Sequence, residues 1–161
     1  MRTGPWFHGP MSERTVPLLR SLVIDTTDAR AAAEFYRALL DFTYDDESQP
    51  PPAGQDDPKG RDWLILNNPG GGARLAFQQV ESLPPSTWPG TERPQQLHLD
   101  FVLPDREALA ENHTRALALG ARLLHDEFDD PTEPLYVYAD LDGHPSRASV
   151  TGRTPGVRRV R

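Results

Sequence analysis

The stretch Pro94-Gln95-Gln96-Leu97-His98-Leu99-Asp100-Phe101-Val102-Leu103-Pro104-Asp105 reads as a strand followed by the start of a helix, and the fold follows from it. An earlier copy of this pattern is Leu18-Leu19-Arg20-Ser21-Leu22-Val23-Ile24-Asp25-Thr26-Thr27-Asp28. In each copy an apolar-rich strand of about seven residues ends at an Asp that is placed to cap a helix. A helix rich in Ala, Leu, Arg and Glu follows both caps, Asp28 and Asp105. The sequence therefore predicts a duplication.

The two copies align when one cap is laid on the other. Ser21 then matches His98, and Glu34 matches Glu111. The repeat unit of roughly 75 residues is too long for a solenoid repeat. It suits two half-domains that close on each other.

Each half continues with a helix and then with about three strands. The first helix is predicted over residues 29–40 and the second over 106–119, where Gly120 ends it. In the first helix one face carries a continuous apolar stripe, formed by Ala32, Phe35, Tyr36 and Leu39. Strands are predicted at 61–66 and 73–80 in the first half, and at 121–125, 135–140 and 146–150 in the second. The predicted fold class is α+β, with two βαβββ modules.

The predicted organisation is a single domain over residues 17–151, with a Pro-rich linker between modules 17–84 and 94–151. Residues 1–16 are predicted to form a flexible arm and residues 152–161 a basic tail, because Gly and Pro interrupt both. Residues 45–60 are acidic and rich in Pro, which predicts a surface loop able to overhang a site.

Composition excludes several classes of function. The 161 residues carry a net charge of -7, which opposes general nucleic-acid binding, and contain no Cys, which excludes disulfides and thiolate metal sites. No apolar run approaches the ~20 residues that span a bilayer. The first twelve residues lack the apolar core of a secretory signal. We therefore expect a cytoplasmic protein that binds neither nucleic acid nor membrane.

Several segments together resemble the vicinal oxygen chelate superfamily, which holds glyoxalase I, bleomycin-resistance proteins and extradiol dioxygenases. The segments are the duplicated βαβββ order, the helix 28–36 with its Phe-Tyr pair, the Pro-Gly-Gly-Gly turn at 69–72 and the run 138–145. The resemblance covers about residues 17 to 151 and looks closest to small actinobacterial glyoxalase-like domain proteins. It implies curved mixed sheets around a cleft that holds the site.

In metal-using members of that superfamily, four ligands line the cleft, and the resemblance puts those positions at Ser21, Gln78 (or Gln79), His98 and Arg147. Of these, His98 is a good ligand, whereas the guanidinium of Arg147 repels a divalent cation. A catalytic metal usually takes three His or carboxylate ligands and an open position. We therefore expect no metal cofactor, with a divalent ion as the disfavoured alternative.

Two functions from different classes compete. One is a metal-poor binding protein for a small organic molecule, and the other is a lyase, isomerase or dioxygenase. The enzyme would use His98 as a metal ligand or as a general acid–base tuned by Asp100, which lies on the same strand face. The candidate ligand-binding residues are Ser21, Asp25, Trp63, Gln78, His98, Tyr138 and Arg147.

A structural role stands beside each of these assignments. His98 is either a cleft residue or a hydrogen-bonded core histidine, and Arg147 either binds an acidic ligand or forms an ion pair with Asp100 or Asp25. Trp63 and Tyr138 either stack on a flat ligand or pack in the core. His144 lies in the turn before the last strand, which borders the cleft in the superfamily. We also expect a homodimer, because half-open sheets leave strand edges and apolar faces to cover.

Overall fold

A computed structural model describes residues 17–150; the predicted arm and tail lie outside these residues. In the first module β1 (Ser21–Thr26) and α1 (Ala29–Leu40) are followed by β2 (Thr43–Tyr44), β3 (Trp63–Asn67) and β4 (Arg74–Gln79). In the second module β5 (Leu99–Leu103) and α2 (Arg106–Ala118) are followed by β6 (Arg122–Glu127), β7 (Leu135–Ala139) and β8 (Pro145–Val150). Short 3-10 turns occupy Asp46–Ser48 and Lys59–Arg61. The predicted α+β class and the βαβββ order are confirmed.

The two modules have the same sheet topology. One sheet has the order β1-β4-β3-β2 and the other the order β5-β8-β7-β6. In each sheet the first strand pairs in parallel with the last, and the remaining neighbours pair antiparallel. Ser21 opens β1 and His98 directly precedes β5, and each lies seven residues before its helix cap (28 − 21 and 105 − 98). The predicted equivalence of these two residues is confirmed.

Both helices begin at the predicted caps. The Asp28 carboxylate accepts a hydrogen bond from the amide of Ala31 at 2.9 Å, and Asp105 accepts one from Ala108 at 2.8 Å. Helix α1 ends at Asp41, whose φ of 56° is a left-handed conformation that suits a helix end. Its predicted apolar stripe is buried in a core that both helices share with the sheets.

Residues alternate between two faces of each sheet. Leu22, Ile24 and Phe77 belong to the core and define the helix-facing side of the first sheet. We call the opposite side the distal face. In the second sheet the linker covers part of the distal face, because the Trp88 ring meets the His125 ring at 6.2 Å between centroids.

The Pro-rich loop 45–60 is held against α1. Arg30 donates a hydrogen bond to Asp57 at 2.8 Å and another to the Ser48 carbonyl at 2.9 Å, and its guanidinium lies over the Tyr44 ring. The hydroxyl of Ser48 accepts from the amide of Ile65 in β3. The loop is therefore fixed beside the helix. Within residues 17–150 no helix has the length and apolar character needed to cross a membrane.

Candidate functional site between the modules

Four of the predicted site residues lie on the distal face of the first sheet. Ser21 and Asp25 alternate with the core residues of β1, and Asp25 pairs in register with Gln78 of β4, which pairs in turn with Trp63 of β3. The neighbouring Gln79 is used elsewhere: its side-chain oxygen accepts from the amide of Ala29 at 2.8 Å. Gln78, and not Gln79, therefore shares a face with Asp25.

Three further candidates lie along the distal face of the second sheet. Asp100 pairs in register with Arg147, and the Arg147 guanidinium donates to both Asp100 oxygens at 3.3 Å. Arg147 also forms an ion pair with Glu133. His98 contacts the side chain of Gln95 through Nδ1 at 3.2 Å. Asp100 is thus engaged by Arg147, and within residues 17–150 no hydrogen bond joins it to His98; the acid–base role of the two residues stays a prediction.

Tyr138 lies on the helix-facing side of the second sheet. Its side chain is 3% exposed, and its hydroxyl contacts Nδ1 of His113 at 3.0 Å. His113 also stacks on Tyr136 with 4.2 Å between centroids, so it packs between α2 and the second sheet. Burial first, and then the neighbouring charges, raise the pKa of Tyr138 above its ordinary range. The structure places Tyr138 in the core and not beside the other candidates.

The strand register tests the predicted metal positions. In the first module, Asp25 lies three residues before the helix cap and pairs with Gln78. In the second module, the residue three positions before the helix cap is Val102, and it pairs with Ser149. Ser149 is therefore the counterpart of Gln78, and Arg147 lies two residues away from that position. The Ser149 hydroxyl is fully buried and has no hydrogen-bond partner among the described residues.

These donors do not fit a metal ion. Two hydroxyls, one amide and one imidazole (Ser21, Ser149, Gln78 and His98) lack the three His or carboxylate ligands of a typical catalytic site. Over residues 17–150 no three His, Cys, Asp or Glu side chains lie close enough together to hold an ion. The expectation of a metal-free protein stays a prediction.

A cavity of about 580 Å³ lies between the modules, and we call it the groove. Its walls come from β1, the linker, the start of β5 and the β7–β8 turn. Of the predicted site residues, Asp25 and His98 line it. The other lining residues are Val23, Ile24, Tyr36, Leu83, Pro84, Pro85, Ser86, Glu92, Arg93, Pro94, Gln95, Gln96, Leu97, Leu99, Asp142, Gly143, His144 and Pro145. The groove thus brings together polar groups that lie far apart in the chain.

Buried Asp140 binds two residues that line the groove, Tyr36 and His144. It accepts hydrogen bonds from the Tyr36 hydroxyl at 2.9 Å and from His144 Nδ1 at 2.8 Å, and its other oxygen accepts the amides of the β7–β8 turn. Burial alone lowers the pKa of His144, but the hydrogen bond and charge of Asp140, with smaller contributions from Asp142 and Asp25, raise it overall. Burial and then the Asp140 charge raise the pKa of Tyr36.

Asp142 connects the same turn to the first module. It accepts hydrogen bonds from the Thr26 hydroxyl at 2.5 Å and from the Thr27 hydroxyl at 2.6 Å, just before α1. Burial opposes ionisation of Asp142, but these hydrogen bonds outweigh it and lower its pKa. Gly143 permits the close approach of the linker, because its φ is 96° and a Cβ there would lie 2.6 Å from Pro85.

Sequence reasoning placed His144 near the site but did not identify Tyr36 or the linker as groove walls, nor Asp140 as the partner of Tyr36 and His144. The run 138–145 was recognised as part of the resemblance, yet its contacts with α1 span more than 100 residues. Its signal was a clustering of two Asp, one Gly and one His in a single turn. Such clustering is also typical of a simple hairpin, so the sequence did not distinguish a simple hairpin turn from one that contacts the other module.

Two βαβββ modules with this strand order define the vicinal oxygen chelate fold. A family model described as a glyoxalase-like domain matches residues 21–148, and the chain belongs to that family. No curated protein matches the chain.

Solved structures share the fold at low sequence identity. A glyoxalase/bleomycin resistance protein/dioxygenase family enzyme from Burkholderia phytofirmans is 17% identical with a TM-score of 0.61, covering 83% of this chain and 98% of that one. The fosfomycin resistance protein FosX from Listeria monocytogenes, crystallised with Mn(II) and dihydroxypropylphosphonic acid, gives 13% identity, a TM-score of 0.58 and coverages of 83% and 90%. Lactoylglutathione lyase from Agrobacterium tumefaciens is 18% identical with a TM-score of 0.53, covering 85% of this chain and 96% of that one. At these identities the likeness establishes the fold alone.

Proposed function

We propose that the chain binds a small organic molecule in the groove between the modules. The observation that carries this proposal is the cavity of about 580 Å³, which falls within the range of roughly 300–1,000 Å³ typical of ligand pockets. Apolar side chains of β1 and the linker form much of its wall, and Asp25, His98 and His144 add a few polar groups. This combination of apolar surface and sparse polar anchors is typical of small-molecule sites.

Enzymatic chemistry at His98 has less support. A general acid–base needs a partner that orients or tunes it, and Asp100 is instead bound to Arg147. A metal-assisted lyase, isomerase or dioxygenase would need ligands that the donor set does not supply. Binding is therefore the function that we assign to the groove.

Occlusion of the groove tests this assignment. Val23 lies on β1, is 44% exposed and lines the groove, so Val23→Trp should fill it. Leu123→Trp is the matched control, because Leu123 is 37% exposed on the edge strand β6 and does not line the groove. Leu97→Trp, just before β5, gives a second occlusion in case the first disturbs folding.

The measurements are native mass spectrometry for co-purified molecules and a thermal-shift screen of small organic compounds. Ligands should bind the wild type and Leu123→Trp but not the two occluded variants. Ligands that bind all four proteins equally would place the binding site elsewhere and overturn the proposal.

We also propose a homodimer. The strands β1 and β5 lie at sheet edges, and large apolar side chains beside them are exposed. Leu18 is 90% exposed, Leu19 66% and Leu97 54%. Pairing of chains would cover these side chains and the strand edges.

A further inference from the structure

We infer that the ligand of the groove is a small organic cation, with an amine on an apolar body, and that the Asp25 carboxylate pairs with the charged nitrogen. This inference rests on the proposed function and adds the charge of the ligand to it. It departs from the ligand that Arg147 suggested in the sequence, which was an anion.

Asp25 is the groove carboxylate that is available to a ligand. It is exposed on the distal face of β1, and no side chain within residues 17–150 hydrogen-bonds it or forms an ion pair with it. Its interaction within the protein is an electrostatic one with His144. A cation in the groove would therefore gain a charge-assisted hydrogen bond without displacing an existing partner of Asp25.

The charges around Asp25 add to its negative potential. Asp142 is hydrogen-bonded by the hydroxyls of Thr26 and Thr27, which satisfy its oxygens but do not neutralise its charge. The positive charge that His144 gains on protonation is already paired with buried Asp140. On the linker wall, Glu92 and Arg93 are adjacent and of opposite sign, so they offset each other. Asp25 and Asp142 have no ion pair among residues 17–150 and interact with His144 electrostatically.

The positive charge of Arg147 does not cancel the negative charge of the groove. Arg147 is held between Asp100 and Glu133, and it does not line the groove. An anion entering the groove would meet the carboxylates of Asp25 and Asp142, which have no ion pair among residues 17–150. The lining cation Arg93 stands next to the acidic Glu92 in the sequence. Repulsion between like charges therefore disfavours anionic ligands at this site.

The apolar wall requires a cation with an organic body. Val23, two residues from Asp25, is 44% exposed, and Leu97, which also lines the groove, is 54% exposed. Burying these side chains against the apolar body of a ligand is favourable, because it removes apolar surface from water. A bare metal ion would gain nothing from them, and the carboxylates and imidazoles of the described residues do not form a metal-binding cluster. An amine that carries an aromatic or aliphatic group satisfies both features.

The test compares phenethylamine, phenethyl alcohol and phenylacetate, together with the naphthyl analogue of each, by NMR titration. These compounds share a body and differ in charge. The amines should bind saturably, with shifts in groove residues, and more tightly than the alcohols, whereas the acids should bind most weakly. Asp25→Asn should weaken amine binding at least about tenfold, as expected for a lost charge-assisted hydrogen bond. Added salt should weaken it as well.

Asp46→Asn is the matched control, because Asp46 is exposed in the loop 45–60 and does not line the groove. It should leave amine binding unchanged. The alcohols or acids could instead bind the groove as tightly as the amines do, with no effect of Asp25→Asn. That result would keep the groove as a binding site but overturn the inference that its ligand is a cation. Absence of saturable amine binding would also overturn the inference of a cationic ligand. The failure of the groove itself is recognised separately, by ligands that still bind Val23→Trp and Leu97→Trp.

Discussion

The hydroxyl of Tyr36 in α1 donates a 2.9 Å hydrogen bond to Asp140 at the end of β7, across 104 residues of sequence. Both residues are buried, with Tyr36 1% and Asp140 7% exposed. This bond joins the helix of the first module to the turn of the second, and the turn also forms one wall of the groove. Together with the hydrogen bonds from Thr26 and Thr27 to Asp142, it holds this turn against the first module.

Removal of that hydroxyl should destabilise the protein. Tyr36→Phe leaves the buried Asp140 carboxylate without one donor, and we expect a loss of about 1–3 kcal/mol in the free energy of unfolding. Urea denaturation measures it. Tyr44→Phe is the control, because its hydroxyl donates to Glu34, whose side chain is 42% exposed, and water can replace it. Equal losses of unfolding free energy in the two variants would show that the inter-module hydrogen bond stabilises the protein no more than the surface one.

Stability should fall as the solution becomes alkaline through the titration of His144. The pKa of His144 in the folded protein is raised above 6.5, so the folded state binds this proton more tightly than the unfolded state. The stabilisation is complete below about pH 6.5 and is lost as pH rises through the folded pKa. Denaturation at a series of pH values should show this loss in the wild type and a smaller one in His144→Asn.

His125→Asn is the control for that series, since His125 is exposed and bonded to Glu127 on the surface. It keeps the contact of His144 with Asp140, so its profile should still show the loss that we assign to His144. A profile of His144→Asn that is identical to the wild type would contradict the assignment.

Arg147 should prove structural and not ligand-binding. Its two carboxylate partners are about half exposed, at 51% and 52%, so Arg147→Met should cost only about 0–1 kcal/mol. In a thermal-shift screen, any planar acid that binds should stabilise the wild type and Arg147→Met equally. Acids that stabilise the wild type alone would show that the ion pair opens to receive an anion.

Purified protein should hold no stoichiometric divalent metal. Ser21, Gln78, His98 and Ser149 supply one imidazole and no carboxylate, which is too weak a donor set for tight binding. Elemental analysis should give far less than about one ion per chain. About one Zn, Ni, Fe or Mn per chain, lost in His98→Ala, would refute this prediction.

Light scattering should report a dimer of the 18.0 kDa chain. The exposed apolar side chains of Leu18, Leu19 and Leu97 favour association, and a charged substitution such as Leu97→Glu should weaken it. A mass of one chain at all concentrations would contradict the proposal. Leu117→Glu, on the exposed surface of α2, is the matched control.

The sequence by itself determined the duplicated fold. Caps such as Asp28 and Asp105, the period of the α1 stripe and Gly120 act through local backbone geometry and burial, which depend on nearby residues. The order of elements and the match of Ser21 with His98 were therefore readable before the structure. The resemblance to the vicinal oxygen chelate superfamily, which also rests on the sequence, implied ligand positions that hold few good metal ligands.

Only the tertiary structure decided which polar groups meet. Arg147 could pair with Asp25 or Asp100, and the register of β5 with β8 selects Asp100 while Glu133 arrives from the adjoining loop. Tyr138 had two possible faces, and packing against His113 fixes it in the core. Asp25, His98 and His144 meet because two modules dock through Tyr36 and Asp140. Contacts between distant segments depend on docking geometry, which no local pattern of residues encodes.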